Sequence, residues 1–546
     1  MLGSMQSWSL TVDRIIDHAA RYHGERQIVT RSVEGPITRS SYAAIRAHAK
    51  QLSHALKELG IGLGDRIATL AWNTDRHLET WYAVMGIGAV CHTLNPRLHP
   101  DQLCWIIRHA DDRLILADLT FAPMLLEIFR RKPMPLQRIV LLSDEAHRPP
   151  QAGLDVLMYV DWLRGRPVDD AVGATPWGCF SEETPCGLCY TSGTTGNPKG
   201  VLYSHRSNFL HTFMTLQPDM MGLSATDTVL PIVPMYHANA WGLAFSAPAV
   251  GAKLVMPGAQ LDGASIYELL ENEQVTFSAA VPTVWQSLLQ HLDATGARLS
   301  CLKRVVIGGS ACPEVLIRRF KADFGVEVRH AWGMTETSPV GTLGAPDAEL
   351  ASLPFSAQLP WRVKQGRPPL GIELRLKDET GGRVREDDIT CGRLMVKGPT
   401  VIDSYFGATN TSLDEDGFFD TEDIATIDSR GYLKITDRAK DVIKSGGEWI
   451  SSIAIENIVL DHPKVANAAV VGVPDPKWDE RPVLFIKLKP GVTLEEGEIL
   501  DYLTGKIVRW WLPNELIIVH DLPLGPTGKI DKNALRLDLP SRLKSN

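Results

Sequence analysis

Residues Tyr190 to Gly200 read Tyr-Thr-Ser-Gly-Thr-Thr-Gly-Asn-Pro-Lys-Gly, and no other stretch of the chain concentrates so much chemistry. Gly193, Gly196 and Gly200 free the backbone to bend closely around a ligand. The hydroxyls of Thr191, Ser192, Thr194 and Thr195 and the exposed amides donate hydrogen bonds, and Lys199 adds a positive charge. Such a loop suits a polyphosphate, because successive backbone N–H groups form an anion-binding concavity. In the ordinary nucleotide-kinase loop a glycine stands directly before the lysine and a hydroxyl follows it. Here Pro198 precedes Lys199 and Gly200 follows. A flexible Ser/Thr/Gly linker is the competing reading. Against it stand the apolar run before the loop and Val201-Leu202-Tyr203 after it, which look like paired strands.

A loop of this kind works only if rigid elements hold it. From Leu10 to about Leu59 the apolar spacing is helical, with a strand-like break at Gln27-Ile28-Val29. Arg66 to Ala71 reads as a buried strand, followed by a helix through Trp81 and Met85. Val140 to Leu142, Thr228 to Leu230, Lys253 to Met256 and Arg304 to Ile307 are further short apolar runs, and helical segments at Ser265 to Glu273 and Pro313 to Lys321 separate several of them. Strands alternating with helices predict α/β layers with parallel sheets. Gly431 to Thr436 reads as the last strand of a large domain, after which Asp437 to Asp441 is highly charged and Gly446-Gly447 interrupts. Beyond it a helix from about Ala454, strands at Ala468 to Val473 and Val483 to Leu488, and a helix from about Leu494 form a separate α+β pattern.

At 546 residues the chain is too long for one core, so two or more domains are expected. Hydrophobic residues at 44% and charged residues at 22% predict a soluble globular protein. A net charge of −8 gives no support for nucleic-acid or anionic-membrane binding, so any basic pocket must be local. The N-terminal residues lack a basic start and apolar core, so no signal peptide is expected. No apolar run approaches bilayer-spanning length. Cys186 and Cys189 form a C-x-x-C, which can mean zinc or redox chemistry. With no second pair at a zinc spacing, and with both in the strand-like approach to the loop, a structural role is the favoured reading. The pattern fits a reduced, cytoplasmic protein.

Further strings follow the loop in order: Gly308-Gly309-Ser310-Ala311, Trp332-Gly333-Met334-Thr335-Glu336, Thr421-Glu422-Asp423, Asp437-Arg438, Lys444 to Ile450, and Pro523-Leu-Gly-Pro-Thr-Gly-Lys529. With them the chain resembles the adenylate-forming superfamily of acyl-CoA synthetases, firefly luciferases and peptide-synthetase adenylation domains, over nearly its whole length. The resemblance implies an α/β fold. Residues 1–436 would form a large N-terminal adenylation domain of layered sheets and helices, holding the ATP and acyl sites. Residues 437–546 would form a small, mobile α+β C-terminal domain that pivots at Asp437. The implied activity is an ATP-dependent acid–CoA ligase that makes an acyl-adenylate and then a thioester, acting on a medium- or long-chain fatty acid. A methylmercaptopropionate or aryl-alkanoate ligase is the alternative, and an adenylating enzyme with no free CoA thioester is a different class. ATP, Mg²⁺, coenzyme A and a small carboxylic acid are the implied ligands, and similarity to long-chain relatives implies a homodimer.

The resemblance also assigns roles by position. Thr191, Ser192, Gly193, Thr194, Thr195 and Lys199 would hold the β- and γ-phosphates. Thr335 would bond the α-phosphate, and Glu336, with Thr191, would hold Mg²⁺. Gly309, Ser310 and His330-Ala331-Trp332 would frame the adenine, while Asp423 and Arg438 would take the ribose. Lys529 would reach in from the small domain to stabilise the transition state. After rotation, Lys444, Gly446 and Trp449 would border the pantetheine channel. His237, Trp241 and Gly333 would border the acyl site, Trp241 as a gate to an acyl tunnel, in the string Asn239-Ala-Trp241 that favours alkyl acids.

Three departures from the family pattern carry expectations of their own. Trp332 stands where tyrosine is common, and an indole can still cover an adenine face. Asp420 and Glu422 stand in a string that in relatives usually reads Arg-Thr-Gly-Asp, and Arg393 replaces the usual glutamate. A glutamate at a glycine position with positive φ is strained, and the extra negative charge is expected to weaken ATP binding modestly.

Overall fold

Short runs such as Thr228–Pro231, Phe277–Ala280 and Arg304–Ile307 are rich in apolar residues and bounded by polar turns. Buried on both faces, they can satisfy their backbone only in the interior of a parallel sheet. In the computed structural model, which describes residues 3–131, 134–136, 138–150, 156–168, 177–191, 197–445, 448–495, 497–525 and 529–542, they form the middle of an eight-stranded sheet. Its other strands are Glu327–Gly333, Lys253–Met256 and Gln27–Arg31, with antiparallel edges at Val340–Leu343 and Ile37–Ser41. A seven-stranded sheet contains Arg66–Leu70 and Val90–Thr93 at its centre and ends on the hairpin Pro185–Thr191 and Lys199–Ser204. The phosphate-type loop joins those two paired strands, as the flanking apolar runs predict.

One apolar core lies between the two sheets. It takes Ile28, Val229 and Phe277 from one sheet, Ile67, Leu114 and Cys186 from the other, and Ile15, Leu52, Trp81 and Leu243 from the helices between them. Separate clusters cover the outer faces, under helices Pro282–Thr295 and Glu314–Phe324 on one side and Pro100–Ala110 on the other. The result is helices and sheets in alternating layers, the expected α/β class. A four-stranded antiparallel sheet, Glu373–Lys377, Gly392–Lys397, Phe419–Ile427 and Leu433–Arg438, completes this part. After it comes a unit with its own core around Ile455, Val470, Leu484 and Leu503 and a five-stranded sheet.

Two details differ from the sequence reading. The segment from Leu10 to Leu59 holds helices Asp13–Tyr22 and Tyr42–Glu58, but Ile37–Ser41 between them is a strand that pairs with Gln27–Arg31. Its residues are mostly polar, so apolar periodicity does not reveal it. The strand expected to stop at Thr436 runs on to Arg438, because Asp437 and Arg438 still pair with Ile424 and Asp423. Among the described residues no helix is long and apolar enough to cross a membrane.

Candidate active site

Loops leaving the carboxyl ends of the parallel strands converge: 232–242 after Thr228–Pro231, Val281 after Phe277–Ala280, 308–313 after Arg304–Ile307, and 334–339 after Glu327–Gly333. In open α/β sheets this edge is where ligands bind. Gly309 has φ +80, and a Cβ built there would stand 3.5 Å from the Lys529 side chain, 3.7 Å from Trp241 and 3.2 Å from Val281. A Cβ at Gly308 would meet the Trp241 indole at 3.2 Å and the Ala331 carbonyl at 3.0 Å. Gly308 leaves room for the close approach of the Trp241 indole, and Gly309 suits its left-handed backbone. Lys529, 190 residues or more from these loops in sequence, sits against Gly309.

Asp423 is buried beside this point. Its carboxylate accepts a hydrogen bond from Trp332 Nε1 at 2.8 Å and pairs with Arg438 Nε at 2.8 Å. Burial pushes its carboxyl above the usual range, while Arg438, Trp332 and Lys529 oppose that shift. Burial and the nearby Arg438 guanidinium lower the Lys529 ammonium to about 8, with Asp423 partly offsetting them. The arrangement concentrates two cations around one buried carboxylate. Asp423 can accept from ligand hydroxyls, and the cations can face an anion. Trp332 lies against Gly341, where a Cβ would meet its ring at 2.5 Å.

A second group lies beside Glu336. Its buried carboxylate accepts from the Tyr405 hydroxyl at 2.9 Å, and burial raises its carboxyl above the ordinary range. Lys199, exposed at the start of its strand, has Nζ 4.8 Å from the centre of the Tyr405 ring. The Tyr203 hydroxyl donates to the Thr335 carbonyl at 2.8 Å, fixing the hairpin to the 334–339 loop. Thr191 ends the other strand of the hairpin, its hydroxyl 3.5 Å from the Lys199 carbonyl. Tyr405 went unread in the sequence; the only signal is an aromatic pair before Gly407 in an otherwise polar loop.

On the opposite side, Ala238, Asn239, Ala240 and Trp241 have φ of +43, +54, +48 and +54, and Gly242 follows at +81. Each non-glycine residue in this conformation costs on the order of 1–2 kcal/mol. The turn is held from below by helix His205–Leu216: Asn239 Nδ2 donates to Asn208 Oδ1 at 3.2 Å, and Asn208 Nδ2 donates to Cys186 Sγ at 3.2 Å. The His211 ring lies 2.9 Å from a Cβ built at Gly242, and its Nε2 accepts from the Val340 amide at 3.1 Å. Asn208, His211, Thr212 and Thr215 make a buried polar stripe on that helix at helical spacing, a signal the sequence carries. His237, half-buried, is lowered to about 4 by burial and by Lys529, so it is neutral at pH 7.

Not every expected residue faces the cleft with its side chain. His330 is buried, its Nδ1 bound to the Val363 carbonyl at 2.8 Å and its Nε2 accepting from the Cys312 amide at 3.2 Å. What it can offer the cleft is backbone, together with the loop it holds. Ser310 is exposed, and Ala331 and Gly333 belong to the same strand as His330. Lys444 and Trp449 face each other across a small hairpin, where the Lys444 amide donates to Glu480. Ser192, Gly193, Thr194, Thr195 and Gly446 lie outside the described residues. Cys186 and Cys189 are free, buried thiols pushed by burial up to about 12 and about 11, in keeping with a structural role.

The departures resolve into geometry. Glu422 has φ +59, so the glycine position is left-handed and the glutamate is strained. Asp420 does not add unbalanced charge, contrary to expectation: Arg393 pairs with it at 2.7 Å. The two unusual residues are one exchanged ion pair.

The family description "AMP-binding enzyme" matches residues 16–406, and "AMP-binding enzyme C-terminal domain" matches residues 454–529. The chain is 46% identical over 536 residues to a 3-methylmercaptopropionyl-CoA ligase of Ruegeria lacuscaerulensis, covering 98% of each chain. It is also 46% identical to a medium-chain-fatty-acid–CoA ligase of Ectopseudomonas oleovorans, covering 98% of this chain and 97% of that one. Among solved structures it is similar to an anthranilate CoA ligase, AuaEII, in complex with anthranoyl-AMP, with a TM-score of 0.87, 25% identity and full coverage of both chains.

Proposed function

This chain belongs to the AMP-binding enzyme family, and from that membership we propose how its cleft activates and transfers an uncharged acyl group. The protein is an AMP-forming acyl-CoA synthetase. Such an enzyme joins an acid to ATP as an acyl-adenylate with release of diphosphate, and then lets the thiol of coenzyme A displace AMP. A carboxylate is a poor electrophile, so the adenylate supplies the leaving group. Forming it brings a negative carboxylate up to a negative phosphate, which demands fixed positive charge aimed at the transition state.

Lys529 and Arg438 supply that charge, Asp423 takes the ribose hydroxyls, and Trp332, Gly309 and Ser310 border the adenine. Thr335 bonds the α-phosphate, and Thr191 and Lys199, with the loop between them, take the outer phosphates. Mg²⁺ fits Glu336, a buried carboxylate with its charge opposed by burial. It prefers one or two protein oxygens with phosphates and waters, and among the described residues no cluster of three or more acidic, His or Cys ligands competes for it. The ion would neutralise phosphate charge. The observation that carries the reading is the meeting of Lys529 with Gly309, Trp241 and the Asp423–Arg438 pair.

The acid binds beside His237, Gly333 and Trp241. The side chains around the left-handed turn are neutral at pH 7: His237, His211 lowered by burial to about 3, Asn208 and Asn239. These described side chains favour an uncharged tail, and Lys529, the cation beside His237, is left to face the carboxylate being activated. The substrate is therefore a medium- or long-chain fatty acid, with methylmercaptopropionate as the second reading because a relative at equal identity is named for it. Each buried methylene adds about 0.8 kcal/mol. After adenylation the small domain, residues 437–546, turns about Asp437 and brings Lys444, Gly446 and Trp449 to the thiol's path. The eight free cysteines favour the reducing cytoplasm, and a homodimer remains part of the proposal.

The test is a panel of alkanoates, methylmercaptopropionate, aryl-alkanoates and dicarboxylates, with ATP, Mg²⁺ and coenzyme A. Diphosphate and acyl-CoA should form best with uncharged alkyl tails. Preference for a dicarboxylate, or no acid-dependent diphosphate, would overturn the reading.

A further inference from the structure

Lys529 is not placed by its own contacts alone. Its loop closes on itself: Leu524 pairs with Ile530, the Gly525 amide donates to the Lys529 carbonyl at 2.7 Å, and the Asp531 amide to the Pro523 carbonyl at 2.8 Å. One residue later begins helix Lys532–Arg542. Its first residue, Lys532, has Nζ 2.7 Å from Glu456 Oε1 and 2.6 Å from Ser452 Oγ, with both charged side chains only 15% exposed. Glu456 is fixed in turn by the Val470 amide at 2.7 Å. Ser452, fully buried, then donates from both its hydroxyl and its amide to Asp437 Oδ2, each at 2.7 Å. A continuous polar chain therefore runs from Glu456 through Lys532 and Ser452 to the pivot carboxylate.

The direction of the bonds is determined. An ammonium can only donate, so the Ser452 hydroxyl accepts from Lys532 and has its single proton free for Asp437. Asp437 also lies at the first turn of helix Ser452–Leu460, where the unpaired amides favour an anion. Other bonds across the pivot hold the same pose: the Ala439 amide to the Glu422 carbonyl at 2.9 Å and the Ser451 hydroxyl to the Thr436 carbonyl at 2.6 Å.

Asp437 pairs with Ile424 in the large domain's sheet, whereas Ser452, Glu456 and Lys532 lie beyond the pivot. A rotation there leaves the Asp437 carboxylate with the sheet and carries Ser452 away. We propose that Lys532 is a positioning residue for the first half-reaction: through Ser452 it latches the pivot Asp437 in the pose that inserts Lys529, and the latch opens for thioester formation. This rests on the domain rotation of the proposed function.

The test separates the half-reactions in the full-length enzyme. Acid-dependent exchange of labelled diphosphate into ATP reports adenylation, and thioester formation from supplied acyl-adenylate and coenzyme A reports the second step. Lys532→Met should slow exchange about tenfold or more in kcat, with the KM for ATP and the thioester step within about twofold of wild type. Lys532→Arg, which keeps the charge and the donors, should restore most of the exchange. Ser452→Ala should slow exchange in the same direction by less, and it decides alone if Lys532→Met does not fold, because it leaves the Lys532–Glu456 pair intact. Equal loss in both steps, or no loss in either, would overturn the latch. Wild-type protein without acid-dependent exchange would instead overturn the proposed function.

Discussion

Lys529 illustrates how much one environment can change a side chain. A lysine normally keeps its proton to pH 10.5, but here burial and Arg438 lower it to about 8. The charged form is the one that can face a developing phosphorane. Since kcat/KM reports the free enzyme, kcat/KM for adenylation should be full below pH 8 and fall as pH rises through about 8. Bound triphosphate favours the ammonium, so the fall in kcat should lie at higher pH. Lys529→Arg should abolish the alkaline limb; a limb that persists belongs to another group. Lys529→Ala should slow adenylation by about 10²–10³ and leave thioester formation from supplied adenylate largely intact. Glu422 is the second case. At φ +59 it holds a conformation that glycine adopts freely, so Glu422→Gly should stabilise the protein by roughly 0.5–1 kcal/mol and lower the KM for ATP by removing a carboxylate that acts on Asp423. An unchanged unfolding midpoint would show that this turn carries no strain.

The left-handed turn 238–242 is the element proposed to set the acyl side of the cleft. It persists because Asn208 and His211, one helical turn apart, support it from beneath. Asn208→Ala leaves the buried Asn239 amide without its acceptor, a cost of about 1–3 kcal/mol, visible as a lower unfolding midpoint. The same change, like Trp241→Ala, should shift the order of preferred acids with little effect on ATP saturation; an unaltered acid profile for Trp241→Ala would remove it from the acyl site. Much of this architecture was legible in advance. The phosphate-type hairpin and the parallel strands follow from short-range pattern, and the left-handed position of Glu422 follows from the family resemblance, which places a glycine there. What escaped was non-local. Strand Ile37–Ser41 owes its place to a neighbour rather than to its own composition, and Tyr405 matters only because folding sets it between Glu336 and Lys199. Lys532 looks like an ordinary charged helix start until its partners 80 and 76 positions earlier are known.

At the scale of the whole molecule, the proposed pivot at Asp437 is where two sets of bonds would exchange. The Ser452 amide bonds Asp437, and the Ala439 amide bonds Glu422. If the small domain turns for the second reaction, adding coenzyme A to enzyme loaded with a non-reactive adenylate should speed hydrogen exchange at both amides together. Central strands such as Arg304–Ile307 should be unaffected. Exchange at only one amide, or at neither, would argue against rotation at Asp437. The Arg393–Asp420 pair has a further consequence, for anyone recombining this gene with its relatives. A crossover falling between those two codons would unite Arg393 from this chain with the arginine common at the other position, or Asp420 with the usual glutamate. Either hybrid would set like charges side by side on adjacent strands, so junctions should be cut outside this interval, where parents of reversed polarity each keep their own match.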